Sequence, residues 1–122
     1  MSVASLVVSV EQVGRVTVAL LAGPIDSATL DQFKQGMDAV VMKPQPGLLL
    51  VDCSGLTYVN SKGLAMFTGY HRKCFAERGY FALCNVNRKL VRTMDLLGLG
   101  RVLKFYETRD EALAAMQNMT VG

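Results

Sequence analysis

The side chain in this 122-residue sequence best placed to carry a chemical change is Ser61. It stands where an apolar run gives way to a helical pattern, with Asn60 before it and Lys62, Gly63 and Leu64 after it. A helix start presents unpaired backbone N–H groups and a partial positive charge, and both accommodate phosphate. A phosphoryl group on Ser61 would add about −1.5 to −2 charges, met by those N–H groups and by Lys62. Asn60 carries no carboxylate to repel it. Such a change is expected to alter the surface rather than unfold the domain. The same residues also have a simpler explanation: Asn60 or Ser61 as an N-cap contributes about 1 kcal/mol of helix stability. Capping and switching use one geometry, so both stay open. Asp26 has the same plain alternative, as the cap of an earlier helix, and Asp52, at a strand end, anchors the turn after it.

Other chemistry is sparsely provided for. His71 is the single histidine and lies inside a helical pattern, with no GxSxG or similar frame to bring a nucleophile to it. Cys53, Cys74 and Cys84 are too far apart for a CxxC redox or zinc pattern, and one histidine does not complete a metal set. Their apolar neighbours predict buried thiols. Gly98-Leu99-Gly100 follows a helix and lacks the third glycine of a dinucleotide fingerprint; a phosphate loop is also missing. The expectation is a protein that is not an enzyme and needs no cofactor and no metal.

The elements that position Ser61 follow from hydrophobic periodicity. Residues 5–11 and 15–22 are strand-like, and Glu11-Gln12-Val13-Gly14 supplies a turn between them, which predicts an antiparallel hairpin. After Gly23-Pro24, with Asp26 or Ser27 as cap, Leu30, Phe33, Met37, Val40 and Val41 form one helical stripe that must stop before Pro44. The apolar run 48–51 is too short for a helix and predicts an interior strand ending at Asp52-Cys53-Ser54-Gly55. A short connection then leads to the helix opened by Asn60-Ser61, running to about Arg78. Its inward residues are expected to be Leu64, Phe67, Tyr70, His71, Cys74 and Phe75, with Gly79 as C-terminal cap.

Residues 80–84 read as a further strand. Asn85 or Asn87 caps a third helix with Leu90, Val91, Met94 and Leu97 inward, ended by Gly98-Leu99-Gly100. Residues 102–105 form a last strand, and Thr108 caps a closing helix with Ala112, Leu113, Ala115 and Met116 inward. The order β-β-α-β-α-β-α-β-α predicts a single α/β domain over 1–122, with a mainly parallel (mixed) sheet of about five strands and about four helices.

Composition agrees. The chain is 51% hydrophobic and 19% charged, enough apolar material for a core without staples. The longest candidate for a membrane span, 16–22, is far short of about 20 residues, and Met1-Ser2-Val3-Ala4-Ser5 has no basic signal-peptide start. A cytoplasmic protein with no membrane span is expected. Nine of the thirteen Lys and Arg lie in 60–105, against only Glu77 and Asp95 there. That asymmetry suits an acidic partner or simply a solvated face of helices. It does not suggest direct nucleic acid binding, because the basic residues sit in no recognition motif.

The segment Asp52-Cys53-Ser54-Gly55-Leu56-Thr57-Tyr58-Val59-Asn60-Ser61-Lys62-Gly63-Leu64 resembles the STAS domain of anti-sigma factor antagonists. In that family an interior strand leads through a short apolar connection to a D-S-[ST]-G-L turn. Leu21-Ala22-Gly23-Pro24-Ile25-Asp26 is similar to the family's strand ending L-x-G-x-[LI]-D, and residues 90–99 to its third helix and glycine-leucine exit. The resemblance thus extends over almost the whole chain. It implies a STAS fold and a protein partner, an anti-sigma factor that is itself a serine kinase. It implies phosphorylation at Ser61, with Asp26 at the acidic position beside the switch. Asn60, Lys62, Gly63 and Leu64 complete the partner-binding and switch region. Asn60 replaces the family's usual aspartate, and Lys62 its usual serine or threonine. The alternative implied by the same resemblance is a STAS scaffold or accessory subunit of a stress-signalling or transport complex, outside sigma regulation.

Overall fold

A computed structural model describes residues 5–120. Five strands form one sheet in the order β1-β2-β3-β4-β5: Val7–Val13, Val16–Ile25, Leu48–Val59, Tyr80–Cys84 and Lys104–Tyr106. β1 pairs antiparallel with β2, and every later pairing is parallel. Four α-helices alternate with the strands: α1, Leu30–Val41; α2, Ser61–Ala76; α3, Arg88–Leu96; and α4, Arg109–Met116. The expected order and mixed sheet are therefore found.

Because the parallel strands add in sequence order, crossovers of one hand place α1, α2 and α3 on the same face. Phe33, Met37, Leu64, Phe67, Cys74 and Met94 pack there against Leu49, Val51 and Cys53 of β3. The other face is covered by α4, whose Ala112 and Met116 meet Val16, Val18, Leu48 and Leu50. β3 is thus buried on both sides, and its start reads as a continuous apolar run rather than an alternation.

Several boundaries differ from expectation. The hairpin turns at Gly14-Arg15, not over Glu11–Gly14; Gly14 has φ +57°, the left-handed value that a two-residue loop opened by glycine uses. Neither Asp26 nor Ser27 is the cap residue of α1; that position falls to Thr29. β3 does not end at Gly55. It runs on to Val59, paired with β2 as far as Ile25, so the expected connection is strand. Its later residues Ser54, Gly55, Thr57 and Tyr58 are exposed, which breaks the apolar run and hides the strand from periodicity.

α2 ends at Ala76, and the left-handed residue after it is Arg78 (φ 60°), not Gly79. The glycine instead permits a close approach of backbones. Its N–H donates to Cys74 O at 2.7 Å, and a Cβ would lie 2.6 Å from Gly47 O. Phe75 points outward and is 76% exposed. On α3 only Met94 is buried, Leu90 and Val91 are half-buried, and Leu97 is exposed. On α4, Ala115 is exposed as well. A 3₁₀ turn, Leu99–Arg101, precedes β5, which starts two residues later than expected.

Candidate functional site

Ser61 is exposed and occupies the first position of α2, immediately after the end of β3. The turn is set by Asn60. Its backbone N–H donates to Ile25 O at 2.9 Å, closing the junction between the ends of β2 and β3. Its side-chain Oδ1 accepts from Gly63 N at 2.9 Å, and its carbonyl accepts from Leu64 N at 3.1 Å. Asn60 is therefore the N-cap, in an extended conformation that residues of this type favour. Of the four opening amides, Asn60 to Gly63, these bonds occupy those of Asn60 and Gly63, while Leu64 N begins the helix ladder. Those of Ser61 and Lys62 have no protein acceptor among the described residues.

Gly63 and Leu64 are buried, and they position the turn from beneath. A Cβ on Gly63 would lie 2.7 Å from Ile25 Cγ2 and 2.8 Å from Val59 Cγ1, so glycine allows the first turn of α2 to lie directly on the strand ends. Lys62 is exposed beside Ser61. Tyr58, one residue before the end of β3, is 53% exposed and adds an aromatic surface that periodicity did not single out.

Asp26 follows Ile25 directly, so the Asn60–Ile25 bond brings its loop to the serine turn. Its Oδ1 accepts from Ala28 N at 2.9 Å and Thr29 N at 3.2 Å. Thr29, a residue that sequence reasoning missed, is buried. Its hydroxyl accepts from Asp26 N at 3.0 Å and donates to Pro24 O at 2.8 Å. The three-residue spacing Asp26-x-x-Thr29 was the available signal, since such pairs reciprocally satisfy backbone groups at helix entries. Together these bonds close the Asp26 loop on the end of β2, where Ile25 O accepts from Asn60 N.

The remaining candidates lie elsewhere. Asp52 is buried, accepting from Ser54 N at 3.0 Å and from Asn85 Nδ2 at 3.2 Å, with Arg109 Nη1 at 3.8 Å. It ties β3, the end of β4 and α4 together. His71 stacks on Phe75 with ring centroids 6.3 Å apart. All three cysteines are free and buried. Among the described residues no group of three or more His, Cys, Asp or Glu is placed to hold a metal ion, and no helix is long and apolar enough to cross a membrane.

The arrangement can present one hydroxyl, one ammonium and one aromatic ring on a firm turn, and it can accept an added anion at a helix start. Comparison with known proteins bears on the fold and the family. Residues 7–112 match the STAS domain. The chain is 25% identical to an anti-sigma F factor antagonist from Paenibacillus polymyxa over 113 residues, covering 93% of this chain and 97% of that protein. The crystal structure of an anti-sigma factor antagonist from Mycobacterium paratuberculosis superposes with a TM-score of 0.80 at 29% identity, covering 93% and 95% of the two chains. The Bacillus cell fate determinant SpoIIAA in its phosphorylated form shares the fold, with a TM-score of 0.68 at 19% identity over 89% and 98%. A match that spans residues 7–112, carried on a five-stranded mixed sheet of this order, shows the family: the chain belongs to the STAS domain family.

Proposed function

We propose that this protein is a cytoplasmic anti-sigma factor antagonist, switched by phosphorylation of Ser61. In its unphosphorylated state it docks on an anti-sigma factor that is also a serine kinase, and so frees a sigma factor. The observation that carries this is the exposure of Ser61 at the first position of α2, on a turn fixed to the end of β2 through Asn60. The near full-length similarity to anti-sigma factor antagonists supports it.

The kinase transfers the γ-phosphoryl group of ATP to Ser61 Oγ: the new bond is O–P, ADP leaves, and the hydroxyl proton passes to the kinase or solvent. The phosphate then lies against the amides of Ser61 and Lys62 and the Lys62 ammonium. A partner surface that fits a neutral hydroxyl and the Tyr58 ring now faces an anion. Desolvating that charge weakens the complex while the domain stays folded.

The test pairs the protein with the kinase-type anti-sigma factor of its own genome and ATP, read by intact mass and by binding. A single phosphate is expected on wild type and none on Ser61→Ala, with Ser61→Ala still bound after ATP is added. Phosphate on the alanine variant, or complexes indifferent to ATP, overturns the switch. A second reading, a STAS scaffold or accessory subunit outside sigma regulation, is favoured by Asn60 and Lys62 standing where the family has other residues. It expects stable assembly with no phosphate at Ser61.

A further inference from the structure

We infer that the groove between α3 and β5 is a separate docking site, for an acidic amphipathic segment of a partner protein. α3 is poorly covered. Only Met94 is buried, while Leu96 is 83% exposed, Leu97 61% and Val102 38%. Scattered apolar side chains are ordinary on a surface, but Leu96 is both highly exposed and part of the wall of a groove.

That groove, of about 770 Å³, has walls that include Val86, Val91, Phe105 and Tyr106, all half-buried, with Leu96 beside them. Concave, aromatic and largely apolar, it can take two or three side chains of an incoming segment.

Charge says which segment. Arg88 and Arg92 line this groove, and with Lys89 and Leu96 they also line a depression of about 480 Å³ beside it on α3. Lys104 stands over the Tyr106 ring at 5.2 Å. The opposing carboxylates are Asp95 and Glu107. Arginine forks donate paired hydrogen bonds to carboxylates, and arginine and aromatic residues are among the side chains enriched at protein interfaces. An occupant with apolar anchors for the groove and Asp or Glu for Arg88 and Arg92 complements both features. A membrane fits less well, because a flat surface leaves the groove unfilled. The groove is at the β4–β5 side of the sheet and the Ser61 turn at the β2–β3 side, so the inference does not depend on phosphorylation.

The test uses the full chain and three labelled helical peptides of equal length, with Glu/Leu, Lys/Leu and Glu/Ser faces, alongside phosphatidylglycerol vesicles. Binding is read by anisotropy and mapped by amide shifts. The Glu/Leu peptide is expected to bind about tenfold or more tighter than the other two, with shifts concentrated in 86–107. Arg88→Glu/Arg92→Glu should weaken it at least about tenfold, a 1.4 kcal/mol change. Leu96→Asp should weaken it too, with circular dichroism showing both variants folded. No binding by the Glu/Leu peptide, equal binding of the Lys/Leu or Glu/Ser peptide, or shifts centred elsewhere overturns the inference. So does tighter, arginine-dependent binding to the vesicles.

Discussion

Gly63 and Ile25 approach so closely that a Cβ on the glycine would lie 2.7 Å from Ile25 Cγ2. The contact fixes where α2 starts relative to the end of β2, and hence where Ser61 is displayed. Gly63→Ala is expected to destabilise the protein by about 1–2 kcal/mol, since overpacking a stiff β-branched contact outweighs alanine's helix propensity. Gly69 lies in the same helix with nothing within 4 Å of a built Cβ. Gly69→Ala should therefore stabilise by about 0.5–1 kcal/mol. Urea unfolding of the two variants tests the opposite signs.

Asn60→Ala removes the acceptor of Gly63 N and should lower stability by about 1 kcal/mol, seen as a reduced urea midpoint. Asn60→Asp keeps that acceptor and adds a charge favourable at a helix start, so stability should hold or rise by a few tenths of a kcal/mol. If Ser61 carries phosphate, the new carboxylate lies next to it, and the phosphorylated Asn60→Asp protein should lose that gain.

Thr29→Val keeps the shape of a buried side chain but leaves Asp26 N and Pro24 O without the hydroxyl between them. Unsatisfied buried groups of this kind cost about 1–3 kcal/mol. Thr29→Ser should recover most of the loss. Equal midpoints for the valine and serine variants would show that the hydroxyl bonds contribute nothing.

Burial pushes the Cys74 thiol up to about 11, partly offset by Lys73. Burial, then Asp52, pushes Cys84 up to about 12 against a smaller opposing effect of Arg109. Cys53 is raised further, chiefly by burial and then by Cys84 and Asp52. Unfolded thiols ionise near 9, so above that pH the unfolded chain holds fewer protons than the folded one. The stabilisation from keeping these thiols neutral is full below about pH 9 and fades as pH climbs through 11–12. The urea midpoint should fall between about pH 8 and pH 10.5, less steeply in a triple Cys→Ala variant. At pH 8 the native thiols should react with a disulfide reagent only as fast as the protein opens.

Much of the fold was legible because burial and period coincided. Phe33, Met37, Val40 and Val41 are one stripe in sequence and one buried face in space. Residues 80–84 emerged as β4 unchanged, since a strand covered on both faces is apolar throughout. Errors gathered where exposure and structure part company. The second half of β3 carries exposed Ser54, Thr57 and Tyr58, so its strand character rests on pairing with β2 and not on pattern. Phe75 and Leu97 have apolar side chains at plausible spacing, yet both stand exposed. Thr29 looks like an ordinary loop residue until its two backbone partners are seen.

The chain's own residues determined that Ser61 opens a helix. Asn60 caps through its own side chain, which accepts from Gly63 N three residues on, a local preference that needs no distant partner. They determined the alternation of strands and helices as well. Where that helix start stands was decided by tertiary structure alone. The Asn60–Ile25 bond and the Gly63 contact join residues about 35 positions apart, and the flank of α3 stays bare because no later segment among the described residues folds over it. Periodicity records which side of an element is apolar. Only the packed chain records which apolar side has been covered.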